Sequence, residues 1–407
     1  MLAIISCFFV TPGREYLSYI NWRTLILLFC LMAVVAGFAK AGVFRYISRK
    51  LSQRMKDTRR LSVGFMLLCF LLSMFVTNDV ALVTVVPLTL LTMMGCSEKA
   101  KIQTLVQETI AANLGSMLTP FGNPQNLYLT SYYGIGMGEF LRLMLPYTGV
   151  ALVILLLQTL ISPKEGLGGR AREAGISERG ASDAGAPEGR VKEAAIPEGK
   201  NREAASLYES GENLTGKDEM YEEALREKLL RSKGRLVSIL LYGILFIVSM
   251  FSVARILDYR ILFGIILITI LVYDRSVLRN VNYTLLLTFV SFFVLIGNLG
   301  AMTQIQAALT QMIEGRELLT AILSSQIISN VPAAVLLSGF TDQGKALIVG
   351  TDLGGLGTLI ASMASIITFQ LYSLESGAKK GKYLLTFTLW NVIDLVILGA
   401  VAYCMMC

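Results

Sequence analysis

Two short polar sequences interrupt segments that are otherwise apolar enough to lie in lipid. Thr77-Asn78-Asp79 divides one apolar stretch, and Ser329-Asn330 divides another in the second half of the chain. Each is followed by a glycine-rich break, at 122–126 and at 354–358. Backbone groups at membrane depth leave a helix only where protein or a water-filled cavity satisfies them. Broken helices at matching places in two halves therefore predict the binding site of a transporter.

The residue types at these interruptions suit an anion bound together with a cation. A helix start exposes N–H groups that attract anions, and a helix end exposes carbonyl groups that attract cations. Asn78 and Asn330 offer both donors and acceptors at such points. The polar sequences and the breaks contain no Lys or Arg. We therefore expect helix N-termini and a co-bound cation to balance the charge of an anionic substrate.

Three residues are candidates for binding or coupling the cation. A carboxylate inside a membrane is costly without a partner, so Asp79 predicts a site linked to Na⁺ or H⁺. Asp352 has the same role in the second half or lies nearer the surface. Gly122 lets the broken helix bend and approach its neighbours without a Cβ clash. Asn391 and Asp394, one helical turn apart in the last apolar segment, have either a structural hydrogen-bonding role or a role in coupling.

A structural alternative applies to the whole set, because kinked helices with packed Asn caps have similar sequences. One interruption alone favours that alternative. Four interruptions in symmetric order favour a binding site.

Composition places the chain in a membrane. Hydrophobic residues make up 54% of its 407 residues and mean hydropathy is +0.61, both high for a soluble protein. The net charge of +7 would suit nucleic acid, but the basic residues lie at the ends of apolar segments, so we expect a lipid bilayer as partner and no nucleic acid. The sequence has no histidine, which excludes a His metal site and a Ser-His-Asp triad. We predict no enzyme activity, no metal site and no cofactor besides the coupling ion.

The apolar segments form two sets of similar order. A helical span needs ~20 apolar residues, and the apolar segment 2–11 is shorter, so we expect the chain to begin inside its first helix. The first membrane repeat is predicted at 1–162, with a span at 22–44, a re-entrant hairpin at 61–95, a broken helix at 101–134, an external connection at 135–143 and a span at 144–162. The second is predicted at 235–407, with spans at 236–257, 259–273 and 283–305, a hairpin at 318–340, a broken helix at 345–372 and a last span at 383–405.

A charged linker at 163–234 separates the two repeats. Its composition, rich in Gly, Ala, Glu, Arg and Ser, buries too little apolar surface to offset the entropy of ordering. We predict that it is largely disordered, with a helix near 218–234 where opposite charges alternate at helical spacing.

Charge also predicts the orientation of the segments. The basic loop at 45–60 is expected in the cytoplasm, and a hairpin at 61–95 returns to that side, so the linker and Lys379–Lys382 lie there too. The second hairpin then enters from outside, and the two halves are inverted. The same charges fit two full spans at 61–95, so they do not distinguish a hairpin from spans. We expect a multi-pass protein of the plasma (inner) membrane.

The order of these motifs resembles the ion transporter superfamily, which includes the divalent anion/sodium symporters, the citrate transporters and the arsenite permeases. The resemblance covers essentially the whole chain outside the linker. Its most specific pieces are Asn21-Trp22, Gly122-Asn123-Pro124-Gln125-Asn126 and Ser329-Asn330-Val331-Pro332. It implies a transport domain that slides against a dimeric scaffold, hence a homodimer. It also implies a site lined by Thr77, Asn78, Asn123, Asn126, Ser329, Asn330, Gly357 and Thr358.

One departure from the family pattern concerns the substrate. Dicarboxylate symporters have Ser-Asn-Thr at both tips, whereas Asp79 and Val331 occupy the third position here. The Asn78-Asp79 pair is closer to the arsenite permease branch.

We therefore predict an all-α polytopic membrane protein with two inverted-topology repeats, each containing a re-entrant hairpin and a broken helix. It would be a secondary carrier that moves a small anion, either a di- or tricarboxylate or an inorganic oxyanion, coupled to Na⁺ or H⁺ by alternating access. The nearest alternative is a Na⁺/H⁺ antiporter or an arsenite exporter of the same superfamily. Alternatives of other classes are a channel and a membrane-embedded enzyme.

Overall fold

A computed structural model describes residues 15–52, 57–166 and 215–406, together with Ser6, Val10, Gly13 and Met55. Within that part of the chain the protein is helical, and its one β-bridge joins Asp57 to Gly166. The first-half helices are α1 (Trp22–Lys40), α2 (Val43–Ser52), α3 (Thr58–Phe75), α4 (Asn78–Thr92), α5 (Glu98–Ser116), α6 (Pro124–Tyr133) and α7 (Met137–Ile161). The later helices are α8 (Thr215–Val253), α9 (Tyr259–Tyr273), α10 (Tyr283–Ala301), α11 (Thr303–Ile313), α12 (Glu317–Ile328), α13 (Asn330–Ser338), α14 (Gly344–Leu353), α15 (Met363–Ser373) and α16 (Lys380–Met406).

Six of the described helices are long and apolar enough to cross a membrane. They are α1, α3, α7, residues Gly234–Val253 of α8, α10 and α16. Three shorter apolar helices, α4, α9 and α12, have 15, 15 and 12 residues. At ~1.5 Å of rise per residue, these three fall short of a hydrocarbon core of ~30 Å. The prediction of an all-α protein with several spans is confirmed.

The helices follow the same order in both halves: a long helix, a short one, a pair, a second pair and a long helix. The series α1–α7 and α10–α16 match in this way. Both series begin with an asparagine cap, because the Oδ1 atoms of Asn21 and Asn282 accept hydrogen bonds from the N–H groups of Thr24 and Leu285, each at 3.0 Å. The long helices and the breaks occur in the predicted order, whereas the short helices α2 and α11 were not predicted. The inverted repeats stay a prediction.

Both predicted hairpins contain a helix break at the predicted polar sequence. The first is divided into α3 and α4 at Val76–Thr77, and the second into α12 and α13 at Ser329. The arms of the first hairpin are unequal, since α3 has 18 residues and is itself long enough to span. The helix boundaries therefore establish the breaks, while the re-entrant course of each pair stays a prediction.

Three helix ends differ from the predicted spans. The predicted external connection at 135–143 is shorter than expected, because α7 begins at Met137 and its apolar face continues through Phe140 and Met144. The span predicted at 22–44 ends at Lys40, where Gly42 has φ +73° and the chain turns into α2. The span predicted at 283–305 ends at Ala301.

The predicted linker at 163–234 consists of three parts, of which the structure describes the first and the last. Residues 163–166 are extended, and the Glu165 carbonyl accepts a hydrogen bond from the Thr58 N–H at 2.9 Å. Residues 167–214 lie outside the described part of the chain, as does most of 2–11. The helix predicted near 218–234 belongs to α8, which runs from Thr215 to Val253.

Helix α5 is surrounded by other helices although it is rich in polar residues. Every residue from Ile102 to Ser116 is buried, and α5 packs against α3, α4, α7, α15 and α16. Its approach to α3 depends on a glycine, since a Cβ atom on Gly115 would collide with the Phe70 carbonyl oxygen. This central helix ends at the first glycine-rich break and so holds that break inside the protein.

Candidate functional site

Four helices begin at the tips and breaks, and none of them has a side-chain cap. The residues at their N-cap positions are Thr77, Asn123, Ser329 and Ser362. All four are of types that cap helices well. Elsewhere in the described part such residues do cap their helices, namely Asn21, Asp57, Ser97, Asp258 and Asn282. The N-termini of α4, α6, α13 and α15 therefore keep N–H groups that their own cap side chains do not use.

The first tip contacts the second break through one amide on α5. The Asn78 Nδ2 atom donates to Asn113 Oδ1 at 2.9 Å, and the same oxygen accepts from Ser362 Oγ at 2.9 Å. Asn113 Nδ2 in turn donates to Ser365 Oγ at 3.4 Å. Both asparagines are buried. Asn113 thus links a tip in the first half to the start of α15 in the second.

The first break contacts the second half through a carboxylate on α14. The Oδ1 atom of Asp352 accepts from Asn123 Nδ2 at 3.3 Å and from Gln125 Nε2 at 3.2 Å. Asn126 lies close enough to interact with the same carboxylate, although its amide atoms make no hydrogen bond of good geometry. The Oδ2 atom of Asp352 and the Oδ1 atom of Asn123 are buried and accept no hydrogen bond. The site therefore has oxygen atoms in need of a donor or a cation.

The second tip is held in an unusual backbone conformation. Ser329 has φ +74° and ψ 154°, a region that residues other than glycine occupy only when the surrounding structure imposes it, at a cost of roughly 1–3 kcal/mol. Its Oγ atom donates to the Ala361 carbonyl at 3.3 Å. Asn330 is buried, and its Oδ1 atom accepts from the Val331 N–H at 2.9 Å. The tip thus ends against the second break, one residue before Ser362.

The glycine-rich second break is tied to the preceding hairpin by Gln326 on α12. Its Nε2 atom donates to the carbonyls of Gly354 and Leu356 at 2.9 and 2.8 Å, and its Oε1 atom accepts from the Thr358 N–H at 2.9 Å. Gly357 has φ +99°, and a Cβ atom there would collide with the Gln326 amide. The predicted residues Gly357 and Thr358 therefore shape the break, and the side chain that fixes them is one that the sequence reasoning missed.

Matching contacts recur in the two halves. Thr119 Oγ1 donates to the Met74 carbonyl at 2.6 Å, and Thr358 Oγ1 donates to the Gln326 carbonyl at 3.1 Å. A Cβ atom on Gly115 would lie 2.6 Å from Ser73 Oγ, and one on Gly354 would lie 2.6 Å from Ser325 Oγ. In each half, matching contacts thus join the broken helix to the helix pair that precedes it.

The contacts between the halves match as well. Asn113 bonds to Ser362, and Asp352 bonds to Asn123. The signal for Asn113, which the sequence reasoning missed, is a short repeat: Asn113-Leu-Gly-Ser before the first break and Asp352-Leu-Gly-Gly before the second. At matching positions one half therefore has an amide and the other a carboxylate.

A small cavity lies beside the first tip and the first break. Its volume is about 20 Å³, and it is lined by Thr77, Asn123 and Pro124 together with apolar side chains that include Leu28 and Phe121. A volume of this size holds about one water molecule. The cavity brings Thr77 and Asn123 together and is too small for a carboxylate substrate.

The predicted cation-binding residues Asp79 and Gly122 lie at the first tip and the first break. Asp79 is half-buried, its N–H bonds to Asn78 Oδ1 at 3.0 Å, and its Oδ1 atom is buried without a hydrogen bond. A Cβ atom on Gly122 would collide with the Ser116 carbonyl, so a glycine is needed there to close the bend of the broken helix. Their predicted role in cation binding stays a prediction.

Comparison with known proteins is consistent with this arrangement. The family model described as citrate transporter matches residues 1–343. An uncharacterized transporter of Methanocaldococcus jannaschii is 29% identical over 95% of this chain and 91% of its own. The inner membrane protein YbiR of Escherichia coli is 28% identical over 90% of this chain and 84% of its own. The silicon efflux transporter LSI3 of Oryza sativa is 32% identical over 42% of this chain and 37% of its own.

Proposed function

The chain belongs to the citrate transporter family, and we propose that it is a secondary carrier for a small anion, coupled to Na⁺ or H⁺. The anion would be a di- or tricarboxylate or an inorganic oxyanion. This proposal, which makes the protein a carrier rather than an enzyme, rests on the site and on the relatives.

The observation that carries the proposal is the set of four uncapped N-termini, those of α4, α6, α13 and α15. Free N–H groups and the positive ends of helix dipoles bind carboxylate and oxyanion groups without a basic side chain. Asn78, Asn330 and Ser329 lie at two of these N-termini, where the second N–H of each Asn amide is a further possible donor, while the Ser329 hydroxyl bonds to the Ala361 carbonyl. Substrate binding is thus assigned to the eight predicted residues, with Asn113 and Ser362 added to them.

The coupling cation is assigned to buried oxygen atoms of the same region, two of which belong to carboxylates. Asp352 Oδ2 and Asn123 Oδ1 are buried oxygen atoms without a donor, and Asp79 Oδ1 is a third such atom at the first tip. Oxygen atoms of this kind suit a hard cation, and a carboxylate suits a proton. A cation held there also offsets the charge of an anion bound at the helix N-termini.

The proposed mechanism is alternating access by two inverted repeats, each with a re-entrant hairpin and a broken helix. The matching contacts of Thr119 and Thr358 support the repeats, and the bonds of Asn113 and Asp352 support a site shared between them. From its positive charge we assign the basic segment 45–60, in which residues 45–52 belong to helix α2 rather than to the predicted loop, to the cytoplasm. By family resemblance we assign the functional unit to a homodimer.

Transport by purified protein in liposomes tests the proposal. Radiolabelled citrate, succinate, sulfate and phosphate are offered with an imposed Na⁺ gradient, with a pH gradient and with neither. We expect saturable uptake of at least one anion that depends on one of the two gradients. Asn78→Ala and Asn330→Ala should raise the half-saturating concentration about tenfold or more, because each removes a donor at a tip. Flux that does not saturate would indicate a channel and contradict the proposal.

A second candidate is a carrier that exports a neutral hydroxylated solute, such as silicic or arsenious acid. It is favoured by the absence of Lys and Arg from the tips and breaks and by the similarity to a silicon efflux transporter. Counterflow of these solutes in the same liposomes distinguishes it from anion uptake. Gradient-driven exchange of Na⁺ for H⁺ without any solute would instead identify an antiporter.

A further inference from the structure

A second polar cluster lies away from the tips and breaks, between α7 and α16. It consists of Gln158 on α7 and of Asn391 and Asp394 on α16, and we call it the Asp394 cluster. Asn391 and Asp394 are one turn apart on the buried face of α16, and their exposed fraction is 0%; that of Gln158 is 4%. The Gln158 Nε2 atom donates to Asp394 Oδ1. Gln158 and Asp394 thus form a buried hydrogen-bonded pair between two long apolar helices, and Asn391 is buried one turn away from Asp394 on the same helix.

The orientation of both amides follows from their hydrogen bonds. Asn391 Nδ2 donates to the Phe387 carbonyl at 2.8 Å, so its Oδ1 atom points away from that carbonyl. A reversed Gln158 would direct its oxygen at the Asp394 carboxylate, which is unfavourable. Three oxygen atoms are left: Asp394 Oδ2, Asn391 Oδ1 and Gln158 Oε1. All three are buried and none accepts a hydrogen bond.

The charge of the cluster has no basic partner in the described residues. The ion pairs there involve other carboxylates, and the polar contact made by the Asp394 side chain is with Gln158. An isolated buried carboxylate costs several kcal/mol unless it is neutralised or bound to a cation. Intramembrane acids of this kind mark ion sites.

We propose that the Asp394 cluster is a Na⁺ site. A proton on Asp394 Oδ2 would satisfy that atom and one amide oxygen, which leaves the other amide oxygen without a donor. A Na⁺ ion instead binds oxygen atoms alone, as hard cations prefer, and accommodates all three at once. Protons then compete with Na⁺ for the carboxylate.

Because protons compete with Na⁺ for the Asp394 carboxylate, the other ionisable groups near α16 can affect this competition. The elements packed against α16 are α5, α7, α14, α15 and the turn Leu359–Ala361. The buried ionisable side chains that they contribute are Glu108, Tyr147, Asp352 and Tyr372, and α16 itself adds Tyr383. None of them is hydrogen-bonded to Asp394. The Asp394 cluster thus shares no hydrogen bond with the cation position near Asp352, and the proposal extends the proposed function.

Trp390 provides a local reporter, because it precedes Asn391 on α16. The chain has 2 tryptophans, Trp22 and Trp390, so Trp22→Phe leaves one. Purified Trp22→Phe protein is titrated with NaCl, with choline chloride keeping ionic strength constant and with no substrate present. We expect a saturable change of Trp390 fluorescence with Na⁺ and none with choline, together with a rise of the Tm. Lower pH should raise the half-saturating Na⁺ concentration.

Two substitutions in the Trp22→Phe background identify the ligands. Asp394→Asn keeps the shape, removes the charge and should raise the half-saturating Na⁺ concentration at least tenfold. Glu108→Gln alters another fully buried acid, which contacts Thr89 rather than the cluster, and should leave that concentration unchanged. Asn391→Ala, a milder change, should raise it about threefold or more.

Three outcomes overturn the Na⁺ site: no Na⁺-specific response in the parent, an unchanged response in Asp394→Asn, or an unchanged response in Asn391→Ala if Asp394→Asn does not fold. A response to pH alone is a case of the first outcome and would assign the cluster to a proton. The titration contains no substrate, so these results are independent of whether the carrier transports anions.

Discussion

At the level of single residues, the two halves differ in charge at one pair of matching positions, Asn113 and Asp352. Asn113 and Asp352 precede the two breaks and bond to Ser362 and Asn123, respectively. An amide and a carboxylate of similar shape can both accept a hydrogen bond through Oδ1, but only the amide also donates, and only the carboxylate carries a charge that attracts a cation. The two halves should therefore contribute unequally to coupling.

The carboxylates at the tip and break are predicted to link transport to the driving gradient. Asp352→Asn and Asp79→Asn each keep the shape of the side chain and remove its charge. We expect either change to weaken the dependence of uptake on the Na⁺ or pH gradient by about tenfold or more, with the larger effect at Asp352, because burial makes its charge depend more on a bound cation. Initial rates in proteoliposomes with and without each gradient measure this. Wild-type coupling in both variants would assign the two acids a structural role.

Sequence reasoning identified residues at the interruptions and missed their partners inside helices. Asn78, Asn123 and Ser329 stand out because Gly, Pro or polar neighbours break an apolar run there. Asn113 and Gln326 lie within helices whose periodicity they do not disturb, so only the folded protein shows that they face the breaks. Glu108 was missed for the same reason, although it is fully buried and bonds to Thr89.

The long apolar helices and the breaks were predictable, because apolar length and breaks are properties of short segments. The short helices α2 and α11 were not predicted. The ends of helices were less predictable: α7 begins earlier than its apolar run indicates, with Met137–Gly138–Glu139 in its first turn. The burial of α5 was not predictable from composition. Gln103, Gln107 and Glu108 would suit an exposed helix, and tertiary packing makes it the central one.

The contact between α3 and α5 is predicted to need a glycine. Gly115→Ala introduces a Cβ atom against the Phe70 carbonyl, and overpacking of this kind costs about 1–3 kcal/mol. Gly149→Ala in α7 is the control, since a Cβ atom there meets nothing within 4 Å. We expect a lower Tm for the first variant and an unchanged or slightly higher Tm for the second. Equal Tm values would show that α3 and α5 separate easily.

The start of the linker is predicted to stabilise the protein in a pH-dependent way. Ser97 donates to the Glu165 carboxylate through its Oγ and through its N–H, the latter at 3.0 Å. These bonds hold the pKa of Glu165 below its ordinary value. A lowered pKa in the folded state means that the stabilisation is present at neutral pH and is lost as the pH falls through that pKa.

Glu165→Gln should therefore lower the Tm more at about pH 7 than at about pH 3, because the wild-type carboxylate gains protons as the pH falls toward its lowered pKa. Thermal denaturation at the two pH values measures the difference. A Tm loss that is the same at both would mean that charge does not contribute to this contact.

At the scale of the whole molecule, the charged segment before α8 is predicted to be dispensable. Deletion of 168–212 retains residues 163–166 and the whole of α8. The deleted segment has a composition that does not pack into a folded core. We expect normal insertion and transport rates within about twofold of wild type. Membrane levels and uptake are compared side by side. Normal levels with lost uptake would identify the segment as regulatory.

The course of the first hairpin can be tested by labelling. A single cysteine replaces Asn78 at the tip or Gly138 at the start of α7, an exposed position with free space around it, in a background without the six native cysteines. If α3 and α4 are re-entrant, an impermeant external reagent labels position 138 and leaves position 78 unlabelled. Equal labelling of both would mean that α3 and α4 cross the membrane as separate spans.

The small cavity beside Thr77 and Asn123 has a consequence for the cell that contains this protein. At about 20 Å³, it has no room for a hydrated ion. The bonds of Asn113 and Asp352 join the two halves, and a carrier that has to separate such bonds to admit its substrate would pass no ions while it is idle. We therefore expect that a membrane can hold many idle copies without losing the ion gradients on which its other carriers depend.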